Sequence, residues 1–322
     1  MAAGCRSVLV VSLGGLGDFI TRWPLWRSAR RTFPGARIVF LGEPRYARLL
    51  LAARLCDEAE DFGAPEWAAP EKIRRPFDLV ISVLGARGAE WTSRLLSAVR
   101  SPLVALEPFP GDGARIPVGE HIESELAAAG LADPGPGACA LPGEPRAWAR
   151  KRLAVLGLDG DRTVAIHPGS GSPAKNWPRG RFAGLAGDLA SRGFGVLLLE
   201  GEAERGGGYG IPAAARLPCL ELDLLAAILA ECGGYVGNDS GVSHLAALMG
   251  APSTVIFGPT DPAVWAPRGG RVTVVTAPSA VAPCAPCGAK RMRGCRDRRC
   301  LTGISPGDVA AALPRPFHSP AG

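Results

Sequence analysis

The chain has 322 residues, of which 47% are hydrophobic, and its formal net charge is +6 at pH 7. This length favours two domains, and the hydrophobic content is sufficient for two buried cores. The composition excludes a membrane-spanning helix, because no apolar run approaches the roughly 20 residues that a bilayer requires. The first apolar run is also too short for a signal peptide, so a cytoplasmic location is expected.

Short apolar runs alternate with helical patterns in the first half of the chain. Runs rich in β-branched residues and bounded by Gly, Pro and Asp are typical of buried parallel strands. We predict strands at 8–12, 37–41, 79–83 and 103–105, with helices between them at 46–55 and 90–99.

A glycine turn follows the first predicted strand and ends in Asp18. The glycines, among them Gly15 and Gly17, would let a ligand approach the backbone closely. The spacing does not match the dinucleotide fingerprint, and no Lys-Ser/Thr pair completes a phosphate-binding P-loop. From spacing alone, Asp18 is either a helix cap or a general base that takes a proton from an alcohol.

The strand–helix alternation stops at a Gly/Pro-rich stretch, residues 131–137, and then restarts. A helix is predicted at 145–156, a linker at 157–160 and a closing helix at 305–313. Strands are predicted at 164–166, 194–199, 234–237, 254–257 and 272–275. The pattern predicts an α/β protein with two Rossmann-like domains, 1–158 and 159–322, whose parallel sheets face an interdomain cleft.

The loop after the strand at 164–166 carries several anion-binding groups. Ser170 offers a hydroxyl, and Lys175 offers a mobile point charge in a chain where lysine is scarce. A phosphate site is one interpretation, and a solvated loop lysine is the other. His167 has no acidic neighbour in sequence that would suggest a catalytic pair.

Two further turns follow predicted strands of the second domain. Asn238, Asp239, Ser240 and Gly241 lie where a buried strand meets a helix, and helix N-termini attract phosphate. Asp239 or Ser240 could instead only cap that helix. A second polar turn, 257–262, should lie at the same sheet edge, which favours a shared ligand site. A third acidic turn, 200–205, could bind ribose hydroxyls or remain solvated.

A cysteine-rich, basic segment lies near the end of the chain. Cys284, Cys287, Cys295 and Cys300 could hold a structural zinc ion, but reduced thiols or a stray disulfide are the preferred interpretations. Residues 290–299 contain six basic residues and one acidic residue, a surface for phosphate-rich partners. Nucleic acid is not an expected partner, because no aromatic residues interleave with these charges.

Several of these motifs together resemble glycosyltransferase family 9, the lipopolysaccharide heptosyltransferase family. The resemblance extends from about residue 8 to about residue 313 and rests on four motifs. These are GDFITRWP at 17–24, AIHPGS with KNWP at 165–178, NDSGVSH at 238–244 and FGPTDP at 257–262. The cysteine-rich segment with CLTGISP at 300–306 also recurs in the family.

The resemblance implies a GT-B fold and inverting, metal-independent transfer of a sugar, heptose in this family, from an ADP-activated donor to a lipopolysaccharide core or similar glycolipid. Asp18 then matches the base, and Lys175 matches the residue that steadies the donor phosphates. The first domain, with Gly15 and Gly17, would hold the acceptor. The donor-binding positions implied in the second domain are Ser170, Lys175, Glu204, Asp239, Ser240, Gly241 and His244, with Glu204 on the ribose. No metal or cofactor is expected.

The resemblance also has departures. Thr21 stands where the family often has histidine, and Glu200-Gly201 stands where Gly-Gly is usual. A nucleotide-sugar epimerase and a non-catalytic nucleotide-sugar or glycolipid binder remain alternatives on the same scaffold. The anionic acceptor implies a possible peripheral position on the cytoplasmic face of the inner membrane, with the basic segment attracting phosphorylated glycolipid.

Overall fold

The structure is a computed structural model that describes residues 4–73, 76–111, 113–131, 139–141, 143–201, 215–269, 271–287 and 289–317. The chain divides into two compact units, Met1–Pro136 and Gly137–Gly322. Each unit is built on its own parallel sheet. Within the described residues, no helix combines the length and the apolar character needed to cross a membrane.

The first unit contains a five-stranded sheet in which all the strands are parallel. Its strands are β1 (Ser7–Ser12), β2 (Arg37–Gly42), β3 (Glu58–Asp61), β4 (Leu79–Ser82) and β5 (Leu103–Ala105). They are ordered β3-β2-β1-β4-β5. The central strand β1 is buried on both faces, as the uninterrupted apolar run in its sequence predicts.

Among the residues of this unit that the structure describes, six α-helices accompany the sheet. They are α1 (Leu16–Thr21), α2 (Trp23–Thr32), α3 (Pro44–Ala52), α4 (Pro65–Ala68), α5 (Ala89–Val99) and α6 (Val118–Ala128). One core cluster joins Leu9, Val39 and Val80 of the strands to Trp67 of α4 and Leu95 of α5. The covering helices and the parallel strands make this unit Rossmann-like.

The second unit contains a six-stranded parallel sheet. Its strands are β6 (Thr163–His167), β7 (Gly195–Leu199), β8 (Ala215–Leu217), β9 (Gly234–Asn238), β10 (Ser253–Phe257) and β11 (Val272–Thr276). They are ordered β11-β10-β9-β6-β7-β8, so the direction of winding reverses between β6 and β9. Ligands of open α/β sheets bind beyond the carboxyl ends of the strands at such a reversal.

In the described part of the second unit the chain forms eight α-helices. They are α7 (Glu144–Val155), α8 (Arg179–Ser191), α9 (Leu222–Glu231), α10 (Gly241–Leu248), α11 (Pro262–Trp265), α12 (Ala289–Gly294), α13 (Arg299–Thr302) and α14 (Pro306–Ala311). The core on one face of the sheet joins Val164 and Ile256 to Trp177, Phe182 and Val309. The closing helix predicted at 305–313 is therefore part of the core.

The structure confirms the α/β class, the two Rossmann-like units and every strand predicted from the sequence. The division between units nevertheless falls before α7, whereas the sequence analysis placed this helix in the first domain. Helix α7 packs against α9, where Arg146 Nε lies 2.6 Å from Glu231 Oε1. These contacts attach α7 to the second unit.

Candidate functional site

Two loops meet at the reversal point of the second sheet. One follows β6 and spans residues 168–177, and we refer to it as the Lys175 loop. The other is the turn between β9 and α10. Asn238 at the end of β9 is fully buried and joins the two. Its Nδ2 donates to the Pro168 carbonyl at 2.7 Å, and its Oδ1 accepts from the Trp177 amide at 2.9 Å. Asn238 thus binds both ends of the Lys175 loop.

The charged centre of this region is an ion pair between Lys175 and Asp239. Lys175 Nζ lies 3.1 Å from Asp239 Oδ2, and the two side chains are 20% and 7% exposed. The same carboxylate oxygen accepts a hydrogen bond of 2.7 Å from the hydroxyl of Thr260, in the turn that follows β10. The polar segments that follow β6, β9 and β10 therefore meet at one carboxylate.

Ser170 shapes the Lys175 loop from within. Its hydroxyl lies 2.6 Å from Asn176 Oδ1 and 2.7 Å from the Ser172 carbonyl, and it accepts from the Ser172 amide at 3.2 Å. The side chain is partly buried by these contacts. Its hydrogen bonds in the structure lie within the loop, so Ser170 contributes to loop shape.

Helix α10 begins at Gly241, directly after Ser240. The Ser240 hydroxyl accepts from the Ser243 amide at 3.4 Å and caps the helix. Capping and anion binding are compatible here, because one side chain satisfies only one of the first four amides of a helix. His244 lies in the first turn of α10 and is buried. Asp239 directly precedes Ser240 in the chain, so the N-terminus of α10 lies next to the Lys175–Asp239 pair.

The carboxyl end of β6 carries His167, which is buried. Burial lowers the pKa of His167 to about 4, so the imidazole is neutral at pH 7. It lines a small pocket together with Glu200, Cys219 and Val242. Glu200, at the start of the predicted ribose-binding turn, pairs with Arg216 of β8 at 3.1 Å. Glu204 lies outside the described residues.

The first unit places Asp18 at the third position of α1. Its Oδ2 accepts from the Gly15 amide at 2.9 Å, so the capping role considered from the sequence is present. The side chain is only partly buried. The loop that carries it, with Gly15 and Gly17, follows the central strand β1 at the reversal point of the first sheet. Asp18 therefore caps α1 at the edge of the first sheet and stays partly exposed there.

Arg22 is a buried cation near Asp18 that sequence reasoning missed. It lies at the joint of α1 and α2 and is 2% exposed. Its Nη1 donates to Ser12 Oγ at 3.1 Å and to the Leu13 carbonyl at 2.5 Å. Desolvation lowers the pKa of Arg22, and the charge of Asp18 partly offsets this effect. The sequence holds no signal for this role, because an arginine between two short helices is ordinarily solvated.

Position 14 must be a glycine because the Asp18 side chain occupies the space of a Cβ there. Its φ is +135°, and a Cβ built there would lie 2.7 Å from Asp18 Oδ2. Gly14→Ala should lower the free energy of unfolding by about 1–3 kcal/mol, because it adds backbone strain and a clash. Gly15→Ala is the matched control, since a Cβ there would lie 3.8 Å from the same oxygen. Urea denaturation measures both, and equal stabilities of the two variants would contradict the prediction.

The four cysteines near the C-terminus carry no disulfide. Desolvation, followed by the charges of neighbouring cysteines, raises the pKa of Cys287 and Cys300. Within the described part of the chain, no group of three or more His, Cys, Asp or Glu side chains is arranged to hold a metal ion.

The basic segment, residues 290–299, includes most of α12 and the first residue of α13, and it lies partly against the Lys175 loop. Arg298 Nη1 donates to the Pro173 carbonyl at 2.8 Å, and Arg299 pairs with Asp297 at 2.7 Å. Three arginines of the segment are exposed, namely Arg291, Arg293 and Arg296. The side chain of Lys290 lies outside the described part of the structure. The segment therefore offers exposed positive charge next to a candidate anion site.

Comparison with known proteins agrees with this architecture. Residues 142–292 match the model of glycosyltransferase family 9 (heptosyltransferase). Lipopolysaccharide heptosyltransferase 1 of Pseudomonas aeruginosa is 29% identical over 316 residues, which cover 87% of this chain and 85% of that protein.

Solved structures show the same fold over nearly the whole chain. A family 9 glycosyltransferase of Veillonella parvula superposes with a TM-score of 0.78 at 20% identity, over 97% of both chains. The Escherichia coli heptosyltransferase WaaC with ADP-2-deoxy-2-fluoro heptose superposes with a TM-score of 0.66 at 22% identity, over 94% of this chain and 97% of that chain.

Two Rossmann-like units, each with polar loops at the reversal point of its sheet, are the architecture of the GT-B fold. The chain is similar to glycosyltransferase family 9, since residues 142–292 match the family model and most of its length aligns with Lipopolysaccharide heptosyltransferase 1. The resemblance inferred from the motifs and the expected glycosyltransferase activity are confirmed.

Proposed function

We propose that the protein transfers a heptosyl group from an ADP-activated donor to a lipopolysaccharide core or similar glycolipid, with inversion and without a metal ion. The observation that carries this proposal is the Lys175–Asp239 pair at the reversal point of the second sheet. The similarity to Lipopolysaccharide heptosyltransferase 1 supports the choice of donor and acceptor class. The structure of the Escherichia coli heptosyltransferase WaaC with ADP-2-deoxy-2-fluoro heptose supports the choice of ADP as the nucleotide.

The second unit binds the donor in this proposal. Lys175 neutralises the diphosphate, and the first amides of α10, at Gly241, donate hydrogen bonds to it. Asp239, Ser240, His244 and Ser170 complete the donor region, and Glu204 is assigned to the ribose. A fixed cation and fixed amides stabilise the charge that develops on the leaving diphosphate. This chemistry supplies what a metal ion supplies in other transferases.

The first unit binds the acceptor and supplies the base. The acceptor oxygen attacks the anomeric carbon while the bond from that carbon to the diphosphate oxygen breaks. Asp18 takes the hydroxyl proton as the new glycosidic bond forms, and ADP departs with the electron pair. A single displacement of this kind inverts the anomeric configuration. Gly15 and Gly17 leave room for the acceptor beside Asp18.

The acceptor in this proposal is an anionic glycolipid. Arg291, Arg293 and Arg296 are exposed and attract its phosphate groups, which would bring the enzyme to the surface of an anionic membrane. The attraction between exposed charges is screened by salt, so this contact would weaken as ionic strength rises.

The test is a donor screen with the purified chain. ADP-, UDP- and GDP-activated sugars, including ADP-heptose, are incubated with and without a heptose-deficient lipopolysaccharide acceptor, and released nucleotide is measured. We expect ADP release from ADP-heptose that depends on the acceptor. Conversion of the donor alone without nucleotide release would indicate an epimerase. Donor binding without turnover would indicate a non-catalytic binder.

A further inference from the structure

The carboxylate of Asp239 is already occupied by two donors. Lys175 Nζ and Thr260 Oγ1 both approach its Oδ2, at 3.1 and 2.7 Å. A carboxylate only accepts hydrogen bonds, and its charge opposes that of a diphosphate. Direct contact between Asp239 and the phosphates is therefore unfavourable. A position behind Lys175 is favourable, because the ammonium has three N–H donors and the pair to Asp239 uses one of them.

The backbone of the Lys175 loop is held by the residue before Asp239. Asn238 accepts from the amide of Trp177 and donates to the carbonyl of Pro168, so one buried side chain closes both ends of the loop. Trp177 is itself 1% exposed, and its Nε1 donates to the Ile304 carbonyl at 3.0 Å. The loop termini are thus fixed in the core, while Lys175 stays one-fifth exposed.

We propose that Asn238, Asp239 and Thr260 are positioning residues that act on the donor through the Lys175 loop. Asn238 fixes the loop backbone, Asp239 orients the Lys175 ammonium, and Thr260 orients the Asp239 carboxylate. This inference rests on the proposed function, since it takes the donor diphosphate as the ligand of Lys175. It changes the role of Asp239 from a direct contact of the donor to a support of the lysine.

Two measurements test the positioning role in Thr260→Val, which keeps the side-chain shape and removes the hydroxyl. The first is competitive acetylation followed by mass spectrometry, with exposed Lys151 as the internal reference. The ion pair with Asp239 holds the Lys175 nitrogen and limits its access to the reagent, so disturbing Asp239 should raise the Lys175 acetylation rate about threefold relative to Lys151. The second is ADP affinity by calorimetry, which should fall about fivefold.

Asp239→Asn should give larger effects in the same direction, with ADP affinity lowered by about tenfold or more. In a Lys175→Met background, neither Thr260→Val nor Asp239→Asn should lower ADP affinity further, because both act through the lysine. Thermal unfolding of each variant checks that the fold is kept, and Thr260→Val provides the test if Asp239→Asn does not fold.

An acetylation rate of Lys175 that both variants leave at the wild-type value would overturn the proposal. So would affinity losses that are the same with and without Lys175. Failure of the proposed function looks different. In that case the wild-type chain does not bind ADP, while acetylation of Lys175 still responds to Thr260→Val.

Discussion

Asp18→Asn is expected to reduce transfer by about 10²–10⁴-fold while ADP affinity stays at the wild-type value. The asparagine amide cannot take a proton from the acceptor hydroxyl. Its carbonyl oxygen can still accept from the Gly15 amide, as Asp18 Oδ2 does at 2.9 Å, so the start of α1 is retained. The donor groups that we propose lie on the second unit and are unaffected. Turnover is measured as acceptor-dependent nucleotide release, and affinity by calorimetry.

Helix α14 offers a matched control for this substitution. Asp308 is also the third residue of its helix, and its Oδ2 accepts from the Ser305 amide at 2.7 Å. Hydrogen bonds from Ser305 lower the pKa of Asp308, so its carboxylate stabilises the helix start. Asp308→Asn should keep wild-type turnover. It changes a carboxylate that caps a helix in the same way as Asp18, but it does not remove the proposed catalytic base. Wild-type turnover in Asp18→Asn, or an equal loss in both variants, would contradict the assignment of Asp18 as the base.

The central strands could be predicted because their apolar runs are buried on both faces. The edge strands β3 and β8 could not, since Glu58–Asp61 is almost wholly acidic and Ala215–Leu217 has an arginine at its centre. An edge strand has a partner on one side only and tolerates charge there. Their existence depends on the neighbouring strand and not on a local pattern.

The sequence was sufficient to predict which loops form the candidate site, but not which side chains contact one another there. Glycine and polar residues after predicted strands located the Lys175 loop and the turn at Asn238–Gly241. The sequence separates Lys175 from Asp239 by 64 positions, and no periodicity relates them. Only the strand order, which places β6 beside β9, brings the two side chains together. Arg22 was missed for the same reason, because its burial depends on tertiary packing.

Lys175→Met is expected to lower ADP affinity by about 10–100-fold, the loss of one charge-assisted contact in a partly buried site. The substitution keeps the length of the side chain and removes its charge. It also leaves the buried Asp239 carboxylate with the Thr260 hydroxyl and without its cation, which adds repulsion toward the donor phosphates. Lys151→Met is the control, because Lys151 is an exposed lysine of α7. The ADP affinity of this variant should equal that of the wild type.

The kinetic effect of Lys175→Met should exceed its effect on donor binding. Charge accumulates on the leaving diphosphate as the glycosidic bond breaks, so a fixed cation stabilises the transition state more than the bound donor. We therefore expect kcat to fall by about 10²–10³-fold, with a smaller rise in KM for the donor. A rise in KM with kcat unchanged would restrict Lys175 to donor binding. If both the ADP affinity and kcat of Lys175→Met are unchanged, Lys175 is not part of the donor site, because methionine cannot replace the lost positive charge.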